Sequence, residues 1–377
     1  MKHAEEYRKT DLVRPLVERL LAEITVLNRP VRIMEVCGTH TMAIFQSGLK
    51  SLLPKEVELV SGPGCPVCVT AGSHMDYFIE IARTGEIEDG GRRRKVRLAI
   101  FGDLFRVPGN TSSLAAASAA GALVSIVYSP MDALKLAIAH PDEIVIFAGV
   151  GFETTSPTIA ATLLAAERGK IDNFLIAPCQ KTMLKPLDAL FADPELRLDA
   201  LLCPGHVCTI IGVNVWQPLA EKFHLASVVA GFEAADLLEA LLMIIAQLQK
   251  GEAKVENAYP RAVHKDGNPR AQAMVAEVFE PCDTLWRGLG ILPGSGLAIR
   301  EKYRRFDAGR LFPFDPVAGD EKSPKGCRCG EVLRGRISPQ DCPLFGRACT
   351  PLQPIGPCMV SSEGVCAAHY KYGENNV

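Results

Sequence analysis

The stretch EIVIFAGVGFETTSPTIAATLLAAERGK, residues 143–170, decides the fold. Its first nine residues are almost unbroken apolar sequence rich in β-branched side chains. Such a run without polar alternation fits a strand buried on both faces, as in a parallel sheet. Glycines then turn the chain, and Thr154 or Thr155 offers a side-chain oxygen to cap a helix start. Residues 156–170 read as that helix. The stretch is one strand–turn–helix unit of an α/β protein.

The same unit recurs in both directions from it. Further short apolar runs are VRIMEVC (31–37), VELVS (57–61), VRLAIFGD (96–103), ALVSIVYS (122–129), FLIAPC (174–179), ALLCPGH (200–206) and SVVAGF (227–232). Helix-like sequence, such as AADLLEALLMIIAQLQK, separates most of them. Eight strands divide into two parallel-sheet α/β domains of Rossmann-like build, expected over 22–130 and 131–280. AGVGFETT (148–155) and VAGFEAAD (229–236) form a weak internal echo, explained equally by duplication or by coincidence among glycine-rich turns. Beyond residue 250 Pro, Gly and Arg become frequent and the alternation fades. A loop-rich third domain is expected over 281–377, grouped with an N-terminal amphipathic helix over 1–21 that packs against it or against the first sheet.

Composition narrows the function. The 377 residues carry 41 Lys+Arg against 43 Asp+Glu, a formal net charge of −2. That balance argues against a general nucleic-acid or anionic-membrane surface. The basic run Arg92–Lys95 is expected to be a solvated loop. The longest uncharged span, Val107–Met131, contains Pro, Gly, Asn and Ser, and lacks the ~20 apolar residues of a membrane span. No export signal opens the chain, so its 13 cysteines are expected in the reducing cytoplasm as metal ligands or redox groups rather than as a disulfide framework.

The chemistry-bearing residues follow the strands, where open α/β sheets bind ligands. Cys37 begins a turn into a helix-like segment, where unpaired amides and the dipole are expected to lower its pKa. His40 could supply a proton, a ligand or a hydrogen bond; a buried Cys and a capping Thr-His pair is the plainer alternative. In SGPGCPVC (61–68), Cys65 and Cys68 have the spacing that lets two sulfurs reach ~2 Å bonding distance. The pair could also be half of a zinc site, though no second C-x-x-C lies nearby. GVGFETT resembles a phosphate-binding turn but lacks the lysine and the third glycine. Cys327, Cys329, Cys342, Cys349, Cys358 and Cys366 crowd into a Pro- and Gly-rich tail. An all-thiolate set fits an iron–sulfur cluster or zinc, and composition does not say which four would be ligands. Cys179, Cys203 and Cys282 read as small core residues, and Trp216 and Trp286 as packing anchors.

CGTHT (37–41), GPGCPVC (62–68), GFETT (151–155), PGHV (204–207), WRGLGILPGSGL (286–297), GEVLRG (330–335), LFGRACTP (344–351) and MVSSEGVCAAHY (359–370) together resemble the HypD family of hydrogenase maturation proteins. The resemblance spans almost the whole chain. It implies two α/β domains and a third carrying a [4Fe–4S] cluster, similar to that of ferredoxin–thioredoxin reductase. It implies a scaffold that works with the small chaperone HypC to assemble the Fe(CN)₂CO group of [NiFe] hydrogenases. HypE donates the cyanides from a thiocyanate made with HypF, and the product passes to the hydrogenase large-subunit precursor.

By motif, the resemblance makes Cys37 the holder of the iron being dressed, with His40 beside it. It makes Cys65 and Cys68 a redox pair and puts His206 and Glu363 on the same cleft. Its cluster spacing, C-x14-C-x6-C-x16-C, selects Cys327, Cys342, Cys349 and Cys366, leaving Cys329 and Cys358 as spares. The sequence departs from the family form at Cys208, where serine is common, and at Ala71, where proline is common. The alternative is a stand-alone thiol–disulfide oxidoreductase driven by an iron–sulfur cluster. Weak ATP hydrolysis has been suspected of the family; the chain offers no phosphate-binding lysine for it.

Overall fold

The computed structural model describes residues 10–315 and 324–373. Among them are twelve strands: β1 (Val31–Glu35), β2 (Val57–Ser61), β3 (Glu86–Asp89), β4 (Arg92–Ile100), β5 (Leu123–Ile126), β6 (Glu143–Gly151), β7 (Phe174–Gln180), β8 (Ala200–Pro204), β9 (Ala226–Ala230), β10 (Val255–Asn257), β11 (Phe279–Trp286) and β12 (Gly290–Ile299). All eight runs read from the sequence form strands. The chain is α/β with parallel sheets, as their continuous apolar character demands.

One sheet has the order β10-β9-β8-β1-β2, and every pairing in it is parallel. The other runs β3-β4-β6-β7, with β5 also paired to β4. Its pairings are parallel except for the β3–β4 hairpin. The sheets therefore do not divide at residue 130. The chain lays down β1 and β2, leaves to build the whole second sheet, and returns to add β8, β9 and β10 beside β1. Apolar runs fix burial on both faces of a strand, but they carry no information on which strand lies alongside.

Two local expectations also change. Arg92–Lys95 is not a loop but the first half of β4. It pairs with Glu86–Asp89, so Arg93 stands opposite Glu88 and Lys95 opposite Glu86. Opposite charges across strands turn a repulsive run into a stable hairpin. Arg93 Nε also reaches Glu86 Oε2 at 2.7 Å. The N-terminal helix, described as Thr10–Leu27, does not join the cysteine-rich region. Its Leu20 and Ile24 pack with Leu237, Leu241 and Ile244 of the helix Ala234–Lys250. That layer covers the first sheet. His3 lies outside the described residues.

The C-terminal region is loop-rich. Among the described residues after the β11–β12 ribbon the helices are short, including Cys329–Leu333, Pro357–Val360 and Val365–Tyr372. Val365–Tyr372 packs on Gly38–Gln46, the helix that follows β1, and Pro357–Val360 packs on Pro66–Val69. These two contacts set the C-terminal cysteines against the Cys37 and Cys65–Cys68 turns. No described helix is long and apolar enough to cross a membrane.

Candidate metal and thiol centre

Cys37 sits between β1 and its helix, with extended backbone at the N-cap position. It is only 7% exposed. The Glu35 side chain folds under the turn: the Cys37 amide donates to Oε2 at 3.0 Å and the Thr41 hydroxyl donates to Oε1. Burial raises the Glu35 carboxyl to about 7, while hydrogen bonds from Ser61, Thr41 and Cys37 pull the other way. Sequence reading missed Glu35. The available signal was one acidic residue inside the apolar run VRIMEVC. The thiol itself corrects an expectation. Burial pushes Cys37 up to about 12, reinforced by Glu363 and Glu35, and the amides of His40 and Thr39 only partly offset this. Desolvation outweighs the helix start.

The CPVC turn lies directly on this one. Gly38 N–H donates to Gly64 O at 3.1 Å. A Cβ on Gly64 would stand 2.2 Å from the Cys37 nitrogen, so only glycine permits the approach. The loop is pressed against its own chain. Cys65 caps the short helix Pro66–Val69, and Cys65 and Cys68 are joined as a disulfide with Cα atoms 5.2 Å apart. The Cys68 amide donates to Cys65 Sγ at 3.2 Å, and the Ser361 hydroxyl lies 3.3 Å from the same sulfur. Ser361 Oγ also accepts from the Glu363 amide at 3.2 Å.

His40, His206 and Glu363 are brought to the same place. Thr39 Oγ1 donates to Glu363 Oε1 at 2.6 Å. His40 Nε2 lies 3.2 and 3.0 Å from the carbonyls of Ala230 and Gly231. Carbonyls only accept, so Nε2 carries the proton and Nδ1, which is buried and unpartnered, presents a lone pair. Burial lowers His40 to about 4, so the ring is neutral. Phe232 lies between the two histidines, 4.7 Å from His40 and stacked on His206 at 3.8 Å. Burial also lowers His206, and Glu363 opposes the shift.

All six C-terminal cysteines line one pocket, with Val332, Leu344, Phe345 and Met359. Cys329 and Cys358, which the family spacing leaves out, lie against each other: their sulfurs are 2.8 Å apart, and both residues are buried. Hydrogen bonds from Cys327 and Cys358 hold Cys329 well below the usual thiol range, and Arg287 adds to the effect. The Ile355 amide donates to Cys349 Sγ at 3.3 Å. Thiol-only donors in a buried apolar wall, with an amide directed at sulfur, fit an iron–sulfur cluster. Among the described residues no three His, Cys, Asp or Glu form a ready-made single-ion site.

Other singled-out residues find plainer places. Glu153 of the GFETT turn accepts from the Met183 amide at 2.8 Å, and burial raises its carboxyl to about 7. Thr155 occupies the helix N-cap without a capping bond from its side chain. A cleft of about 290 Å³ opens at the ends of β4 and β6, lined by Asp103, Thr155, Pro66 and Val67 of the CPVC helix. A larger cavity of about 520 Å³ lies on another side of Glu35 and Thr41, lined also by Lys50 and His369. Cys179, Cys203 and Cys208 are buried, Cys282 is half-buried, and Trp216 and Trp286 are buried anchors.

Comparison with known proteins covers nearly the whole chain. The family model described as "HypD: Hydrogenase formation hypA family" matches residues 11–373. The Hydrogenase maturation factor HypD of Escherichia coli (strain K12) is 45% identical over 381 residues, covering 99% of this chain and 98% of that protein. The proteins of the same name from Azotobacter vinelandii and Rhodobacter capsulatus are 44% and 43% identical, each covering 99% of this chain and 97% and 98% of their own lengths. A thiol turn, a disulfide turn and a six-cysteine pocket thus meet in a sequence that matches these relatives from end to end, and the chain belongs to the HypD family.

Proposed function

We propose that this chain is a hydrogenase maturation scaffold on which the Fe(CN)₂CO group of [NiFe] hydrogenase is built. It works in the cytoplasm with a small HypC-like chaperone, receives cyanide from HypE, and passes the product through HypC to the large-subunit precursor. One observation carries the reading. The Cys37 turn and the Cys65–Cys68 disulfide share a backbone contact, and Ser361 leads from that disulfide into the segment bearing the C-terminal cysteines.

The residues divide the work. Cys37 holds the substrate iron. Its thiol is protonated when free, so iron must displace the proton, and the nearby carboxylates favour a cation there. Neutral His40 keeps an unprotonated Nδ1 beside that turn. Cyanide and carbon monoxide demand electron-rich, low-spin iron, so electrons must reach the site. The Cys65–Cys68 pair stores two: its S–S bond breaks, two electrons and two protons enter, and two thiols result. A [4Fe–4S] cluster held by Cys327, Cys342, Cys349 and Cys366 would supply electrons singly. Cys329 and Cys358, sulfur against sulfur, form a second pair beside that centre. A stand-alone oxidoreductase needs an accessible attacking sulfur, but Cys65 is 3% exposed and Cys68 0%.

The test is Cys65→Ser in protein purified anaerobically with its small partner. The iron–cyanide and iron–carbonyl infrared bands should vanish or fall at least tenfold. Full bands with normal hydrogenase maturation would remove the dithiol from the reaction.

A further inference from the structure

The first sheet ends in an unpaired edge. Among the described residues β2 lies last in its order and pairs with β1 alone. The Val31 amide donates to Glu56 O and the Gly62 amide to Glu35 O. The even-numbered residues along β2 therefore turn their backbone groups toward β1. Alternation along the strand then points those of Val57, Leu59 and Ser61 outward. The Val57 amide is taken by Pro54 O at 3.0 Å. Among the described residues nothing bonds the Leu59 amide, the Leu59 carbonyl or the Ser61 amide.

The cavity of about 520 Å³ runs along this edge, and all five residues of β2 line it. Its walls come from both layers that cover the sheet. Ile44 and Leu53 belong to the layer that packs with Leu59. Gly335 sits on the opposite face, where a Cβ would stand 2.6 Å from Val60 Cγ1, and it leads into the wall formed by Arg336 and Ile337. A space bounded by both layers lies beside the strand, not over one face. Five residues at ~3.3 Å each give the edge a length of about 17 Å, and a neighbouring strand would lie ~4.8 Å away.

The rim selects the charge of an occupant. Its acids are engaged: Glu58 with Arg32 Nε at 3.0 Å, Asp341 with the Ser338 amide, and Glu35 with Thr41 and the Cys37 amide. Arg336 is engaged as well, with Asp193. Lys50 and Lys55 line the same rim, and Lys55 is exposed. We infer that the outer edge of β2 is a strand-addition site for an extended, acidic segment of a partner protein. The backbone of that segment completes the ladder through Leu59 and Ser61. Its alternate side chains meet the apolar walls, and its carboxylates meet the lysines. Ser61 runs directly into the GPGC turn, so the segment docks on the strand that carries Cys65. The inference does not depend on the iron chemistry proposed above.

The experiment titrates the full chain with a fluorescein-labelled pentapeptide of alternating valine and glutamate, read by fluorescence polarisation. Binding should saturate below ~1 mM. Methylating alternate peptide nitrogens blocks the ladder and should weaken binding about tenfold or more. Leu59→Pro removes the outward N–H at an edge position, where proline is tolerated, and should also weaken it about tenfold. Lys55→Glu should weaken the glutamate peptide about threefold and strengthen the matching lysine peptide by a similar factor. If L59P does not fold, the methylated peptide and K55E decide. No saturable binding, or binding indifferent to methylation, would overturn strand addition. A native preference for the lysine peptide would overturn the acidic partner. A dimer of the free protein that L59P dissociates would give the edge to a second copy and overturn the proposal.

Discussion

Cys37 and Cys329 are both buried thiols at the starts of helices, and their surroundings drive them in opposite directions. Cys37 is pushed up to about 12 by burial, then by Glu363 and Glu35. Cys329 is held well below the usual thiol range by hydrogen bonds from Cys327 and Cys358, and then by Arg287. The contrast shows that a helix start does not decide the state of a cysteine. Carboxylates around a dry thiol keep its proton until a metal cation arrives. Thiols that donate to one another beside a buried guanidinium are poised for electron exchange instead. On the proposed reading, one protein thereby keeps a metal-capturing sulfur and an electron-handling sulfur apart in chemistry.

The largest expected effects test that separation directly. Cys37→Ser should abolish the iron–cyanide and iron–carbonyl infrared bands while leaving cluster iron and sulfide at native levels. Cys327→Ser should do the reverse to cluster content, removing most of the iron–sulfur absorbance. Cys358→Ser should keep the absorbance and lose only the thiol exchange. If Cys358→Ser stripped the cluster as fully as Cys327→Ser, the division of the six cysteines into four ligands and one pair would be wrong.

Much of this was legible in the sequence, and the misses share one cause. The eight strands declared themselves because an unbroken apolar run such as EIVIFAGVG has few alternatives to a doubly covered strand. The motif residues Cys37, His40, Cys65, Cys68, His206 and Glu363 were singled out through the resemblance, not through spacing. What failed depended on contacts between distant segments. Sheet order turned on β8 arriving beside β1 about 170 residues later. The basic run became a strand because EIED lay opposite it. A helix start says nothing of how deeply Cys37 is buried, and burial is what raises its pKa most; nor does spacing along the chain tell that the Cys329 and Cys358 sulfurs lie 2.8 Å apart.

Glu153 sharpens the same contrast through stability. Burial raises its carboxyl from an ordinary value of 4.5 to about 7 in the folded protein. Between those values the folded state keeps a proton that the unfolded state has released. Stability therefore falls as pH rises through that window, by 1.36 kcal/mol per unit of pKa difference, or about 3 kcal/mol in all. Glutamine has no such proton and can keep the bond from the Met183 amide. Glu153→Gln should thus match the native protein near pH 4.5 and exceed its stability by up to about 3 kcal/mol at pH 8, measured by urea unfolding. Glu35, also raised to about 7, would leave a residual slope. An unchanged pH profile in E153Q would mean that this carboxyl is ionised in place.

The smallest effect isolates a single carboxylate at Cys37. Glu363 acts on the thiol from a half-buried position, behind burial in importance. Its Oε1 accepts from Thr39 Oγ1, and a glutamine oxygen can accept the same bond, so Glu363→Gln removes charge with little change of shape. Glu363 is half-exposed and screened largely by water, so at an effective dielectric of ~60 one charge about 7 Å away contributes just under about 1 kcal/mol. The Cys37 pKa should fall by less than one unit, and alkylation of Cys37 by iodoacetamide at pH 8.5 should speed up about threefold. Glu363→Asp, which keeps the charge, should react nearer the native rate. Cys329, governed by its sulfur neighbours and Arg287, should be indifferent to both substitutions. A native rate at Cys37 in E363Q would leave burial and Glu35 to account for its raised pKa, and the acid-lined side of the comparison would lose Glu363.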